Sequence, residues 1–131
     1  MSSSTRRTVT ALAATAMITA GLGVCASTAS AKSDLELRAA SGSVALHGTV
    51  RLSAAGSSDD FGGAPIQLCV DRRDSAGHWH RLGCTARYRL AEAVPAAYRG
   101  TLAFRAQLIA QTAPHHWVVD RTSPTVTVRV R

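Results

Sequence analysis

From Val44 to Leu52 the chain reads Val-Ala-Leu-His-Gly-Thr-Val-Arg-Leu, with large apolar residues at alternate places, Gly48 apart, and smaller or polar residues between them. Successive side chains of an extended strand point to opposite faces, so this alternation predicts a half-buried strand. The same two-residue period recurs at Leu35 and Leu37, at Ile66, Leu68 and Val70, at Leu102, Phe104, Ala106 and Leu108, and at Val126, Val128 and Val130. None of these segments carries the period of an amphipathic helix.

Turn residues separate the segments. Ser41-Gly42 divides the first two, and the Gly/Ser/Asp-rich stretch from Gly56 to Pro65 predicts a flexible loop before the third. Asp74-Ser75-Ala76-Gly77 is a tight-turn sequence, so Ile66 to Val70 and His78 to Leu82 should form a hairpin. Counted by parity, Cys69 lies opposite Leu68 and Val70, and Cys84 shares a face with His78 and His80. On that count the two cysteines and two histidines share one face and Trp79 joins the core. A bulge near Gly83 is then needed to turn Ala86, Tyr88 and Leu90 inward and Arg87 and Arg89 outward. Val94 to Ala97 reads as a connection with room for a helical turn, and Pro124 separates a strand from about Trp117 from a last strand at Thr125 to Arg131.

The N-terminal segment follows a different pattern. Arg6 and Arg7 precede an uncharged run from Thr8 to Ala31, which ends in Ala29-Ser30-Ala31, with small residues at the −3 and −1 positions of a cut after Ala31. These are the parts of an export signal. A cut after Ala29 also fits. Met1 to Ala31 is therefore expected to be a cleaved signal helix and residues 32–131 a single secreted domain, with no membrane segment after cleavage. An uncleaved anchor is disfavoured because the run is dominated by Ala, Thr, Ser and Gly.

Cleavage also changes the cysteine and charge counts. The chain has three cysteines, and losing Cys25 leaves Cys69 and Cys84, an even pair whose default in a secreted domain is a disulfide. Removing Arg6 and Arg7 from the fifteen Lys plus Arg leaves thirteen against eight Asp plus Glu, a net charge of +5. A basic balance admits nucleic acid, an anionic wall, a membrane surface or acidic substrates as partners. Arg51, Arg87, Arg89, Arg105 and Arg129 are spread along the strands without a block, the pattern of a solvated sheet face. Specific nucleic-acid binding is not expected; the partner is left open, with a cell-wall polymer or an extracellular protein as candidates.

Seven to eight short strands in about 100 residues predict an all-β, antiparallel sandwich with Greek-key connections. Gly77-His78-Trp79-His80-Arg81-Leu82, Tyr98-Arg99-Gly100-Thr101-Leu102-Ala103-Phe104-Arg105-Ala106-Gln107 and Ser123-Pro124-Thr125-Val126-Thr127-Val128 resemble segments of bacterial immunoglobulin-like or fibronectin-III-like extracellular domains. The resemblance implies an immunoglobulin-like sandwich with a Tyr, here Tyr98, before a central strand. Two features depart from the antibody pattern: Cys69 and Cys84 fall on neighbouring strands of one hairpin, and no cysteine stands two residues after Tyr98.

Chemistry-bearing residues are few. His78 and His80, at i and i+2 of a strand, project from one face and make a candidate Zn or Cu pair, with His47, His115 or His116 available to complete the shell. Surface histidines flanking a tryptophan are the simpler account. His115, His116 and Trp117 form a candidate binding tip. Nucleophile-elbow, phosphate-loop and zinc-protease patterns are absent from the sequence, and Asp59-Asp60 is accounted for by turn formation. The expectation is a secreted, disulfide-stapled, non-catalytic binding or structural module without a cofactor. The first alternative is an inhibitor of an extracellular hydrolase, presenting the Gly56 to Ala64 loop or the tip from Pro114 to Trp117. The second is a metal-binding or enzymatic protein using His78 and His80.

Overall fold

A computed structural model describes residues 33–131, which form nine strands: β1 Ser33–Ala39, β2 Ser43–Val44, β3 Thr49–Ser58, β4 Ile66–Arg73, β5 Trp79–Thr85, β6 Arg89–Pro95, β7 Gly100–Ala113, β8 His116–Thr122 and β9 Val126–Val130. The expected export signal, Met1 to Ala31, lies outside the described residues, and so does Cys25. The strands make two sheets, one ordered β1-β3-β6 and the other β2-β9-β7-β4-β5, with β8 also paired to β7. This is the expected all-β sandwich of two sheets, with nine strands rather than seven or eight. The connections β1 to β2, β2 to β3, β3 to β4, β5 to β6 and β6 to β7 pass from one sheet to the other.

The alternating apolar positions meet between the sheets. Val50, Leu52 and Ala54 of β3, with Leu37 and Val94, face Leu68, Val70, Phe104, Ala106, Leu108 and Val128 of the larger sheet. Phe104, Leu68, Leu108, Val50, Val70 and Val128 are fully buried. Burial of each such side chain contributes about 1.5–3 kcal/mol. β7 is central: it pairs with β4 on one side and, on the other, with β9 along its first half and β8 along its second. Ser123 bridges the break between β8 and β9. Its Oγ accepts from the Ala106 amide at 2.8 Å and donates to the Pro124 carbonyl at 3.0 Å, so Pro124 interrupts the ladder without leaving it open.

Several local expectations are overturned. Val44 to Leu52 is not one strand. Ser43–Val44 runs parallel to β9, the chain turns at Leu46-His47, and β3 starts at Thr49. The turn is closed by the Gly48 amide on the Ala45 carbonyl, 2.9 Å, and by the His47 amide on the Ala96 carbonyl, 2.8 Å, with His47 at φ 67°. The Gly56 end of the expected loop is strand instead, because β3 continues to Ser58 opposite β1. A bare Cα is needed there: a Cβ on Gly56 would lie 2.7 Å from the Asp34 carbonyl oxygen. Val94-Pro95 belongs to β6, and no helical turn follows it.

The bulge expected near Gly83 is present. Val70 pairs with Gly83 and Asp71 with Arg81, leaving Leu82 as the extra residue. It falls between Cys84 and Trp79, so it exchanges faces on the Trp79 side. Trp79 therefore shares the outer face with the disulfide rather than entering the core, and His80, opposite Arg72, lies on the other side. Tyr88 is not turned inward; it is 75% exposed in the bend between β5 and β6, while Leu90 packs on the core as expected. Tyr98 stands just before β7, as expected, and is 77% exposed.

Candidate functional site

Chemistry-bearing side chains gather on the outer face of the larger sheet and at the end of the sandwich carrying the β4–β5 turn. The face is built from odd-numbered residues of β4 and β7. Cys69 stands opposite Gln107, and Asp71 opposite Arg105. On the other side of β4, Cys69 faces Cys84 across the hairpin, with the expected disulfide formed at a Cα–Cα distance of 4.1 Å. Cys69 is fully buried and Cys84 exposed.

Beside the disulfide, Asp71 is held by two arginines. Arg81 Nε donates to Oδ1 and Arg105 Nε to Oδ2, both at 2.9 Å. The carboxylate side chain is only 3% exposed, so neither oxygen could remain unpaired without a substantial desolvation penalty. Arg81 Nη2 also donates to Gln107 Oε1 at 3.1 Å, and Gln107 Nε2 to Thr122 Oγ1 at 3.0 Å, tying β5, β7 and β8 together. Trp79 completes the cluster. The Arg105 guanidinium lies 4.4 Å from its ring centroid and that of Arg73 5.5 Å, both within the range of cation–π attraction. The cross-strand network is legible only once the bulge at Leu82 has set Arg81 and Trp79 on this face.

The β4–β5 turn is organised by Asp74. Its Oδ1 accepts the Ala76 and His78 amides at 2.9 and 2.8 Å, and its Oδ2 lies 2.6 Å from His80 Nε2 and 3.6 Å from His78 Nδ1. Hydrogen bonding to His80, then to the His78 amide, lowers the Asp74 pKa from 3.8 to about 2. Both histidines thus approach the Asp74 carboxylate, His78 from just before β5 and His80 from the face opposite the disulfide. Gly77, at φ 90°, closes the turn.

His115 and His116 cannot join them. His80 lies beside Arg72, which pairs with Phe104, whereas His116 pairs with Ala113. The length of β7 from Phe104 to Ala113 is roughly 30 Å at ~3.3 Å per residue. His47 sits in its own turn before β3. Among the described residues, no three His, Cys, Asp or Glu side chains are grouped to hold a metal ion.

At the far end, β7 and β8 form a hairpin whose tip is Pro114-His115, with His115 at φ 58°. His116 and Trp117 begin β8. Trp117 is 39% exposed and Val119 55%, on the same outer face as Gln111 and Ile109. The expected binding tip is therefore a surface feature, separate from the Asp71–Trp79 cluster. Phe61 is exposed in the loop between β3 and β4.

Compared with protein-family models and with curated proteins, the chain matches none.

Proposed function

We propose that the chain is a secreted, disulfide-stapled, non-catalytic binding module of the cell exterior, of the bacterial immunoglobulin-like or fibronectin-III-like kind. The observation that carries this reading is that the candidate chemical groups are spent on one another. Both oxygens of Asp71 are taken by arginines, those of Asp74 by the turn amides and His80, and Ser123 Oγ by the backbone. A general base or nucleophile has to be available to a substrate. Side chains so engaged instead make a rigid surface, and rigidity lowers the entropic cost of binding.

The inhibitor reading draws on a different feature, the β7–β8 hairpin. Its paired strands continue past Ala110, where the β4 pairing ends, and carry Trp117 outward. One experiment separates the two. Protein recovered from the culture medium is mixed with washed cell envelopes of its host and, in parallel, with the host's secreted proteases and glycosidases. Co-sedimentation released by salt is expected for the binding module. Stoichiometric loss of hydrolase activity, relieved by Trp117→Ala, would replace that reading with the inhibitor.

A further inference from the structure

The arginines are spread evenly along the sequence, but the topology does not leave them so. β4 ends in Arg72-Arg73, β7 begins just after Arg99, and β9 ends with Arg129 and Val130 before Arg131. β7 is antiparallel to both β4 and β9, so these segment ends come together at one end of the larger sheet. Asp34, Asp59 and Asp60 fall at the other end, where β1 starts opposite the last residues of β3.

Between the β4–β5 turn and the segment leading into β7 lies an open groove of about 770 Å³, lined by Arg72 to Gly77 on one wall and Tyr98 to Ala103 on the other. Arg129 pairs with Thr101, a residue of the second wall. Arg73, Arg99 and Arg129 are exposed, and among the described residues none of them forms an ion pair. Asp74, the acid of this lining, is already engaged by His80 and two turn amides. Both walls are backbone-defined: Gly77 and Gly100 hold φ values of 90° and 126°, a region other residues rarely adopt. Tyr98 offers a ring that is 77% exposed beside these charges.

We propose that this groove binds an acidic glycan, a sugar chain bearing carboxylate or phosphate groups. Unpaired guanidinium groups match planar or tetrahedral oxyanions. Ser75, Thr101 and the backbone of the two glycine-containing walls supply hydroxyl partners, and Tyr98 supplies an apolar platform for one sugar face. A single ring suits a saccharide better than a nucleic acid strand, whose successive bases need several stacking surfaces. The inference rests on the binding-module reading and gives it a ligand class and a location.

The test is calorimetric titration of the full, oxidised protein with three probes: short oligogalacturonate, a neutral oligosaccharide of equal length and a single-stranded oligonucleotide. Oligogalacturonate is expected to bind, with affinity falling as salt rises. Arg99→Gln is expected to weaken it roughly tenfold, the effect of losing one charge-assisted hydrogen bond. Tyr98→Ala should weaken it too, whereas the paired change Arg87→Gln and Arg89→Gln, away from the groove, should leave it unaltered. All of these side chains are exposed, so the variants should fold, which their unfolding midpoints check. Absence of oligogalacturonate binding, equal weakening by the Arg87 and Arg89 changes, or tighter binding of the oligonucleotide would each overturn the proposal. If Arg99→Gln left salt-released envelope binding intact, the groove would be discarded while the binding-module reading stood.

Discussion

At the residue scale, Asp71 and Asp74 differ in what surrounds the carboxylate. Asp71 is buried between Arg81, 41% exposed, and Arg105, 25% exposed. Asp71→Ala leaves two cations that can still reach water, so the loss should be about 2 kcal/mol, less than for a wholly buried pair. Arg105→Ala should cost less, because Arg81 keeps one carboxylate oxygen, and it should also alter Trp79 fluorescence by removing the guanidinium over the ring. Urea unfolding of the single and double variants measures the coupling; additive losses would show that Asp71 and Arg105 act independently. Asp74 is governed by protonation instead. Its pKa is lowered from 3.8 to about 2, so the folded state holds fewer protons than the unfolded chain between these values. Its contribution is fully present above about pH 4 and is lost as pH falls towards 2. In Asp74→Asn, which keeps an acceptor but no charge, the stability deficit relative to the natural protein should shrink as pH falls from about 4 towards 2. A deficit unchanged down to pH 2 would mean that the charge of Asp74 is not what the turn uses.

At the element scale, two glycines in paired strands have opposite prospects. A Cβ on Gly56 would meet the Asp34 carbonyl oxygen at 2.7 Å and Leu35 Cδ1 at 2.9 Å, so β1 would have to move away from β3. Gly56→Ala is expected to cost about 1–3 kcal/mol. A Cβ on Gly83 would meet chiefly the end of the Glu92 side chain, which can rotate away, so Gly83→Ala should stay within about 0.5 kcal/mol of neutral. Urea midpoints test the pair, and hydrogen exchange at the β1 amides should accelerate for Gly56→Ala alone. The same elements mark how far the sequence could be read. Alternation exposed the core positions of β4, β7 and β9 because each of those strands is regular along its apolar stretch. It missed the turn at His47, where apolar residues on both sides keep the period while the backbone reverses. It also misjudged Trp79, because one extra residue at Leu82 inverts every side chain before it, and a bulge can be inferred from parity but not placed by it. The Asp71–Arg81–Arg105 cluster was hidden for another reason: its members belong to three strands, and only register brings them together.

At the scale of the whole molecule, the proposed cleavage and the disulfide belong to one account of an exported domain. The first strand begins at Ser33, whose side of the fold is fixed by the Arg121 guanidinium donating to its carbonyl and by its own burial. A cut after Ala31 or after Ala29 leaves every described strand intact. The Cys69–Cys84 bond closes a separation of 15 residues, for which chain entropy predicts about 3 kcal/mol. Its two strands are also joined by their backbone ladder and by the Asp71–Arg81 ion pair, so reduction should lower stability without dissolving the hairpin. Protein from the culture medium is expected to give a mass equal to residues 32–131 less two hydrogens. Cys69→Ala together with Cys84→Ala should unfold at lower urea, by about 3 kcal/mol, with a steeper urea dependence, because an uncrosslinked unfolded chain exposes more surface. Retention of the intact chain in membranes would remove the basis for an extracellular module. A doubly substituted protein as stable as the natural one would show that the strand ladder and ion pairs hold the hairpin alone, leaving the disulfide without a stabilising role.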